Sequence, residues 1–318
     1  MPQASGPATD LRAALRGVRA LLLDLDGVIV LAGQAIPGAT EAIAELERRG
    51  FPYRIVTNTS AVSRATLSRW SARLGAPIPA ERFESALSAS AAWTARHFAG
   101  QPLYVLASGD ARTEFAGQRL MTHEEAGAPG ARAAAVVIGD SPEEATFDNL
   151  NRAFRLIRGG ATLVGMHRNP WWLTPDGPTL DSGSFVVGLE FAAETRATVV
   201  GKPSPTFFSQ GVRDLRREAG RSLARADIAM VGDDVRTDVR AAQRAGLRGI
   251  LVLSGKHVEA DVEAAARERG GRLPDAVAPS LAEVVAALAG DVPGRADDAA
   301  RPARSRLSTR SGSSPRSR

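Results

Sequence analysis
The sequence predicts an α/β fold, a Rossmann-like doubly wound parallel sheet with a second α/β unit inserted into it, and three observations lead there. Short apolar runs alternate with amphipathic segments of helical period near both ends of the chain. Polar loops rich in aspartate follow the apolar runs, where open parallel sheets bind ligands. The intervals between those loops are uneven. Asp26 and Thr57 leave room for one helix and a strand, whereas Asn58 and Lys202 are far enough apart to hold a further domain.

The run "RALLLDLDGVIV" opens with Leu21 to Leu23, a continuous apolar stretch that reads as a strand buried on both faces, with Asp24 at its carboxyl end. After Pro37 and Gly38 comes a helix with Ile43 and Leu46 inward and Glu41, Glu45, Arg48 and Arg49 outward, closed by Gly50. "YRIVTNTS" is a second strand entering a polar turn, and Leu67, Trp70 and Leu74 mark the inner face of a helix that Gly75 ends. The same grammar returns late. "ATVVGKPSP" reads as a strand ending at Gly201, after which Ser204 caps a helix that starts at Pro205 and faces inward through Phe208, Val212 and Leu215. "DIAMVGDD" is a strand followed by a helix from Thr237 to Ala245, and "GILVLSG" is a further strand. Ser280 with Glu283 forms a capping box for a last helix whose apolar face is Leu281, Val284 or Val285, and Leu288.

Between these halves lie strands at 103–107, 134–138 and 162–165 and helices at 88–98 and 147–157. The expected division is therefore a leader over 1–10, a main unit over 11–79 and 182–290, an inserted unit over 80–181, and a tail over 291–318.

Charge locates rather than classifies. Seven arginines and three aspartates give 291–318 a net +4, which leaves the remainder of this +5 chain close to neutral. A nucleic-acid partner for the main body is thus not expected. The Arg, Ser and Pro of the tail bury too little apolar surface to offset their ordering entropy, so disorder is expected there. The absence of cysteine excludes disulfides, thiolate catalysis and cysteine-ligated zinc, and fits a reducing cytoplasm. The most apolar early run, Ala20 to Ala32, contains Asp24 and Asp26 and falls short of the ~20 residues that span a bilayer, so neither a membrane segment nor a signal peptide is expected.

The aspartates after the strands carry the chemistry. Asp24 and Asp26 end the first strand, and Asp233, Asp234 and Asp238 follow "IAMVG"; if those strands are neighbours, several carboxylates converge on one small volume. Like charges so close call for a cation, and oxygen-only ligands suit a hard ion such as Mg²⁺ where phosphate completes the coordination. Thr57 and Asn58 offer a hydroxyl and backbone N–H groups to phosphate oxygens, and Lys202, between Gly201 and Pro203, offers a compact positive charge. Any one such aspartate is more often a turn former than a catalyst; the set in register with Lys202 reverses that reading.

In order and spacing, "DLDGVIV", "VTNTS", "VVGKPSPTFF" and "MVGDDVRTDV" resemble the four motifs of the haloacid dehalogenase (HAD) superfamily of phosphatases, over about Val18 to Leu288. The chain looks like the NagD-type branch, subfamily IIA. "LNRAFRLI", "VVGKPSPTFF" and "GILVLSGKH" resemble most the phospholysine phosphohistidine inorganic pyrophosphate phosphatase subgroup. The resemblance implies the HAD fold with a C2-type α/β cap between the second and third motifs. It implies Asp24 as nucleophile, Asp26 as general acid and base, and Thr57, Asn58 and Lys202 on the phosphoryl group. Mg²⁺ would be held by Asp24, the Asp26 carbonyl and Asp233, with Asp234 and Asp238 in support. The substrate would be a small phosphorylated metabolite (a phosphate ester, phosphoramidate or pyrophosphate), and a homodimer through the caps is implied. Thr59 departs from the pattern, since many relatives carry a second Asn there.

Two other functions compete. A halide-removing relative manages without the second aspartate and without magnesium, which Asp26 and Asp233 argue against; an idle scaffold would not need every catalytic position filled. In "GMHRNPWW", His167, Arg168, Trp171 and Trp172 either contact the leaving group or fill the cap core or a subunit interface. "DSGSF" marks the return from cap to core, and His97, His123 and His257 lack metal spacing. "GILVLSGKH" imitates a nucleotide-binding loop but has one residue too many between glycines and His257 where Ser or Thr is required.

Overall fold
The computed structural model describes residues 10–174, 176–219, 223–267 and 272–288. Apart from Asp10, the leader and the basic tail lie outside the described residues. Strand β1 (Ala20–Leu23) is followed by a short hairpin, β2 (Val30–Leu31) and β3 (Gln34–Ala35), then β4 (Tyr53–Thr57) and β5 (Phe83–Ser85). The chain then builds β6 (Leu103–Leu106), β7 (Ala135–Ile138) and β8 (Thr162–Gly165), a second hairpin of β9 (Trp171–Thr174) and β10 (Gly177–Leu180), and β11 (Thr198–Val199). It closes with β12 (Ile228–Gly232), β13 (Arg248–Val252) and β14 (Ala276–Ala278).

Six strands form one parallel sheet in the order β14-β13-β12-β1-β4-β5, and four form another in the order β11-β8-β7-β6. Alternation along β1 explains why its apolar run is continuous. Leu21 and Leu23 pack with Ile43, Leu46, Ile55 and Val284 on one face, while Ala20 and Leu22 pack with Val56, Phe208, Val212 and Met230 on the other. Both faces are covered by helices, so no position of β1 meets water.

Sheet pairing moves the expected boundaries of the inserted unit. β5 lies beyond residue 79 yet pairs with β4 in the larger sheet, and β11, which read as a main-unit strand, pairs with β8 in the smaller one. The helix Gly183–Ala193 buries Val186, Leu189 and Ala193 in the smaller unit, so "DSGSF" starts a helix of that unit rather than the return. The return follows β11. The expected helix at 237–245 is also altered: Val235–Arg240 is a π-helical turn that becomes α-helical over Ala241–Arg244. Among the described residues no helix is long and apolar enough to cross a membrane.

Candidate active site
From β1 the chain proceeds to β4 and β5 on one side, and from β12 to β13 and β14 on the other, so the order of the larger sheet reverses between β1 and β12. Loops diverge at such a switch point and leave a crevice at the carboxyl ends of the strands. Asp24 leaves β1 there, its N–H donating to Val231 O at 2.9 Å, and Asp233 leaves β12 beside it. Ligand oxygens of Asp24, Asp233 and Asp238 all lie within 4.8 Å of one another, and all three residues are buried.

Lys202 ties the cluster together. Its ammonium is 2.7 Å from Asp24 Oδ1 and 2.7 Å from Asp238 Oδ1, and the residue is 2% exposed, so a full charge out of water is balanced by its two carboxylate partners. Burial alone would lower its pKa, but Asp238 and Asp24 more than offset this and hold it above the ordinary lysine range. On the carboxylates burial acts in the opposite sense. Burial, then like charge, raises Asp24, Asp233 and Asp238 against the pull of Lys202. Asp26 opens toward the cavity; its enclosing walls push it up to about 6 while Lys202 pulls it down, and solvent on the open side screens part of the effect.

The donor set fits a hard divalent cation: it is oxygen-only, and its mutual repulsion is what a cation relieves. Both oxygens of Asp238 are engaged, Oδ1 by Lys202 and Oδ2 by the Asp234 N–H at 3.1 Å. Asp24 takes Lys202 and the Leu25 N–H on Oδ1, and Asp233 takes the Lys256 N–H at 2.7 Å on Oδ2. Each of these two therefore keeps an oxygen without a protein partner among the described residues. Asp234 instead caps the π-helical turn, accepting from the N–H groups of Arg236 at 2.8 Å and Thr237 at 3.0 Å, and it meets Lys256 Nζ at 3.2 Å. These partners hold its carboxyl below the usual range despite burial.

Thr57, at the end of β4, is fully buried; its hydroxyl accepts from the Thr59 N–H at 3.0 Å and lies 2.9 Å from the Thr59 hydroxyl. The Asn58 side chain does not reach outward. Its Oδ1 accepts from the Lys202 N–H at 2.8 Å and its Nδ2 donates to Lys202 O at 3.1 Å, clamping the backbone that carries the ammonium.

A cavity of about 650 Å³ opens over these groups and is lined by Asp24, Asp26, Thr57, Asn58, Lys202, Asp233 and Asp234. His167 and Trp171 also line it; Arg168 does not, being held 2.6 Å from Glu190 on the outer side of the smaller unit. His167 is buried, with Nδ1 accepting from the Asn169 N–H at 3.3 Å and Nε2 3.1 Å from the hydroxyls of both Ser60 and Ser182. Trp171 and Trp172 sit half exposed on the β9–β10 hairpin, in the cavity wall rather than a closed core.

Several participants escaped the sequence reading. Lys256 and Gly255 belong to "GILVLSGKH", whose nucleotide-loop reading fails, yet this loop buttresses Asp233: a Cβ on Gly255 would stand 2.2 Å from Asp233 Oδ2, and one on Gly27 2.1 Å from it. Ser60, Asp140, Asn169 and Asp181 come from four separate loops and carry no common spacing. A glycine in the polar loop that follows a strand was the available signal for Gly255.

A family model described as haloacid dehalogenase-like hydrolase matches residues 21–120, and a second HAD-hydrolase-like model matches 199–284. Haloacid dehalogenase-like hydrolase domain-containing protein 2 of Rattus norvegicus is 37% identical over 238 residues, covering 74% of this chain and 83% of its own. This chain belongs to the haloacid dehalogenase-like hydrolase family. The hydrolase is also 34% identical over 238 residues to phospholysine phosphohistidine inorganic pyrophosphate phosphatase of Homo sapiens, across 73% of this chain and 82% of that one. In fold it is similar to 4-nitrophenylphosphatase from Thermotoga maritima, with a TM-score of 0.74, 24% identity, and coverage of 86% and 98%. A glycerol phosphate phosphatase from Mycobacterium tuberculosis, solved in complex with calcium, gives a TM-score of 0.71 at 25% identity over 84% of this chain and 74% of that one.

Proposed function
We propose that this hydrolase is a Mg²⁺-dependent phosphatase that hydrolyses a small phosphorylated metabolite through an aspartyl phosphate on Asp24. The observation that carries the reading is the Lys202 ammonium bridging Asp24 and Asp238, with Asp233 beside them on one cavity. Asp24 attacks phosphorus as the bond to the leaving oxygen breaks, and Asp26 gives that oxygen its proton. Asp26 then takes a proton from water, which attacks phosphorus and frees Asp24; a carboxyl raised by its enclosing walls suits a group that must both hold and release a proton. Thr57 and the N–H groups of its turn bind phosphoryl oxygens, and Lys202 neutralises charge gathering there. Asn58 serves by holding the Lys202 backbone. Mg²⁺, held by Asp24, Asp233 and the Asp26 carbonyl with Asp234 and Asp238 in support, would supply further charge stabilisation on the transferring group.

The name of the human relative places phosphoramidates and pyrophosphate beside esters among the candidate substrates to be compared. Phosphate release from an aryl phosphate, with and without Mg²⁺, tests the reading. Asp24→Asn is expected to lower kcat about a thousand-fold or more. Equal rates for wild type and variant would favour the scaffold, and release of halide from a 2-haloacid by a protein idle on the aryl phosphate would favour the dehalogenase.

A homodimer through the smaller unit is part of the same reading. Val187 and Phe191, four residues apart on the helix Gly183–Ala193, are 43% and 88% exposed beside Glu194 and Arg196, a face that a two-fold copy could cover with its charges paired. Light scattering should give twice the chain mass, and Phe191→Glu should give the monomer mass. A cysteine-free chain suits the cytoplasm.

A further inference from the structure
The cavity continues past the phosphoryl-binding groups, and part of its wall on each unit is apolar. Leu31, Leu67 and Trp70 of the larger unit line it, with Thr66 and Arg73 among them, together with Trp171, Trp172 and Pro178 of the β9–β10 hairpin. Leu31, Trp171 and Trp172 are 37%, 42% and 45% exposed, so three large apolar side chains are left facing water around one opening. Core packing does not account for them. Lys256 Nζ lies 5.0 Å from the centroid of the Trp171 ring and is tied at its other side to Asp234, which fixes that ring against the loop that buttresses Asp233.

Inorganic pyrophosphate or a phosphorylated polyol would leave these walls wet. A flat apolar group would cover them, because indole faces prefer ring partners and apolar burial is what the two walls together lack. Resting on the phosphatase reading, we propose that the leaving-group subsite is built for a bulky, ring-bearing apolar group, so that the substrate is a phosphate monoester of a hydrophobic, aromatic alcohol. Trp172 and Leu31 are the specificity-determining residues of this subsite.

The test uses two esters of primary alcohols with similar leaving-group acidity, 2-(1-naphthyl)ethyl phosphate and ethyl phosphate, with the full chain and Mg²⁺. Burying the ring is expected to favour the naphthyl ester about ten- to a hundred-fold in kcat/KM. Trp172→Ala and Leu31→Ser should each lower that ratio several-fold, and Trp172→Phe should restore most of it. Calorimetry on Asp24→Asn measures binding of the same esters apart from turnover. Turnover and binding of both esters without preference, or a preference untouched by both variants, overturns the subsite and leaves the phosphatase reading intact. Tighter binding of the naphthyl ester with no hydrolysis of either overturns the phosphatase reading and leaves the subsite standing.

Discussion
Asp233 is positioned by what its neighbours lack. Its carboxylate lies against the backbones of Gly27 and Gly255, where added Cβ atoms would stand 2.1 and 2.2 Å from Oδ2, and Gly27 has φ of 74° besides. Gly255→Ala should therefore cost about 1–3 kcal/mol of stability and weaken Mg²⁺ binding, read by urea melts with and without the metal. A second buried carboxylate sits outside the site. Glu84 on β5 is buried, neither oxygen has a hydrogen-bond partner, and burial, aided by Asp214, raises its pKa well above the ordinary value. The folded state keeps this proton at pH values where the unfolded chain has released it, so the residue costs stability increasingly as pH rises above about 4.5. Glu84→Gln is expected to melt higher than wild type at pH 7 to 8 and to converge with it near pH 4; a constant difference across that range would refute the assignment. Nothing in the order of residues marked Glu84 as buried, because only the pairing of β5 with β4 puts its side chain beneath the helix Pro205–Ala219.

Among the elements, the turn after β12 most directly serves the site. Asp234 caps it with two N–H bonds, and the wide π turn, with the Val239 N–H reaching Asp234 O at 3.2 Å, brings Asp238 back under Asp234 and against Lys202. Asp234→Ala should cost about 1 kcal/mol through the lost cap, a fall in melting temperature of a few degrees, and should also loosen Lys256. The sequence predicted an ordinary helix here because apolar spacing over so few residues does not separate a π turn from an α turn. It did locate the strands flanking the turn, whose unbroken apolar runs admit one reading.

At the scale of the whole molecule, the two units meet through a buried polar seam. His167 follows β8 of the smaller unit, Ser60 follows β4 of the larger, and Ser60 Oγ also accepts from the Asp140 N–H at 2.8 Å. Asn169 continues the seam to Asn58 at 3.3 Å, and Asn58 to Lys202, so the join between the units and the grip on the ammonium share one network. Burial pulls His167 down to about 4, against Asp140, so the imidazole is neutral in the folded protein. The unfolded chain takes up this proton near pH 6.5 and the folded one does not until about 4, so stability from this group is lost as pH falls across that window, by up to about 3 kcal/mol. Unfolding free energies of wild type and His167→Gln, compared between pH 7 and 4, should show the wild type losing more; parallel curves would count against a neutral His167.

Residue types and their order were enough to mark a strand-and-helix alternation, the carboxylates and lysine that meet at the cavity, and a long interval that holds the second sheet. Those features are local: a buried parallel strand must be apolar throughout, and a loop that follows it is free to be polar. Which strands lie side by side was settled only in three dimensions, and with it the meeting of Asp24 with Asp233, the turning of Asn58 onto Lys202, the assignment of β5 and β11 to opposite sheets, and the apolar walls of the cavity. Contacts between residues hundreds of positions apart depend on how sheets and helices pack, and that packing leaves no period in the chain to read.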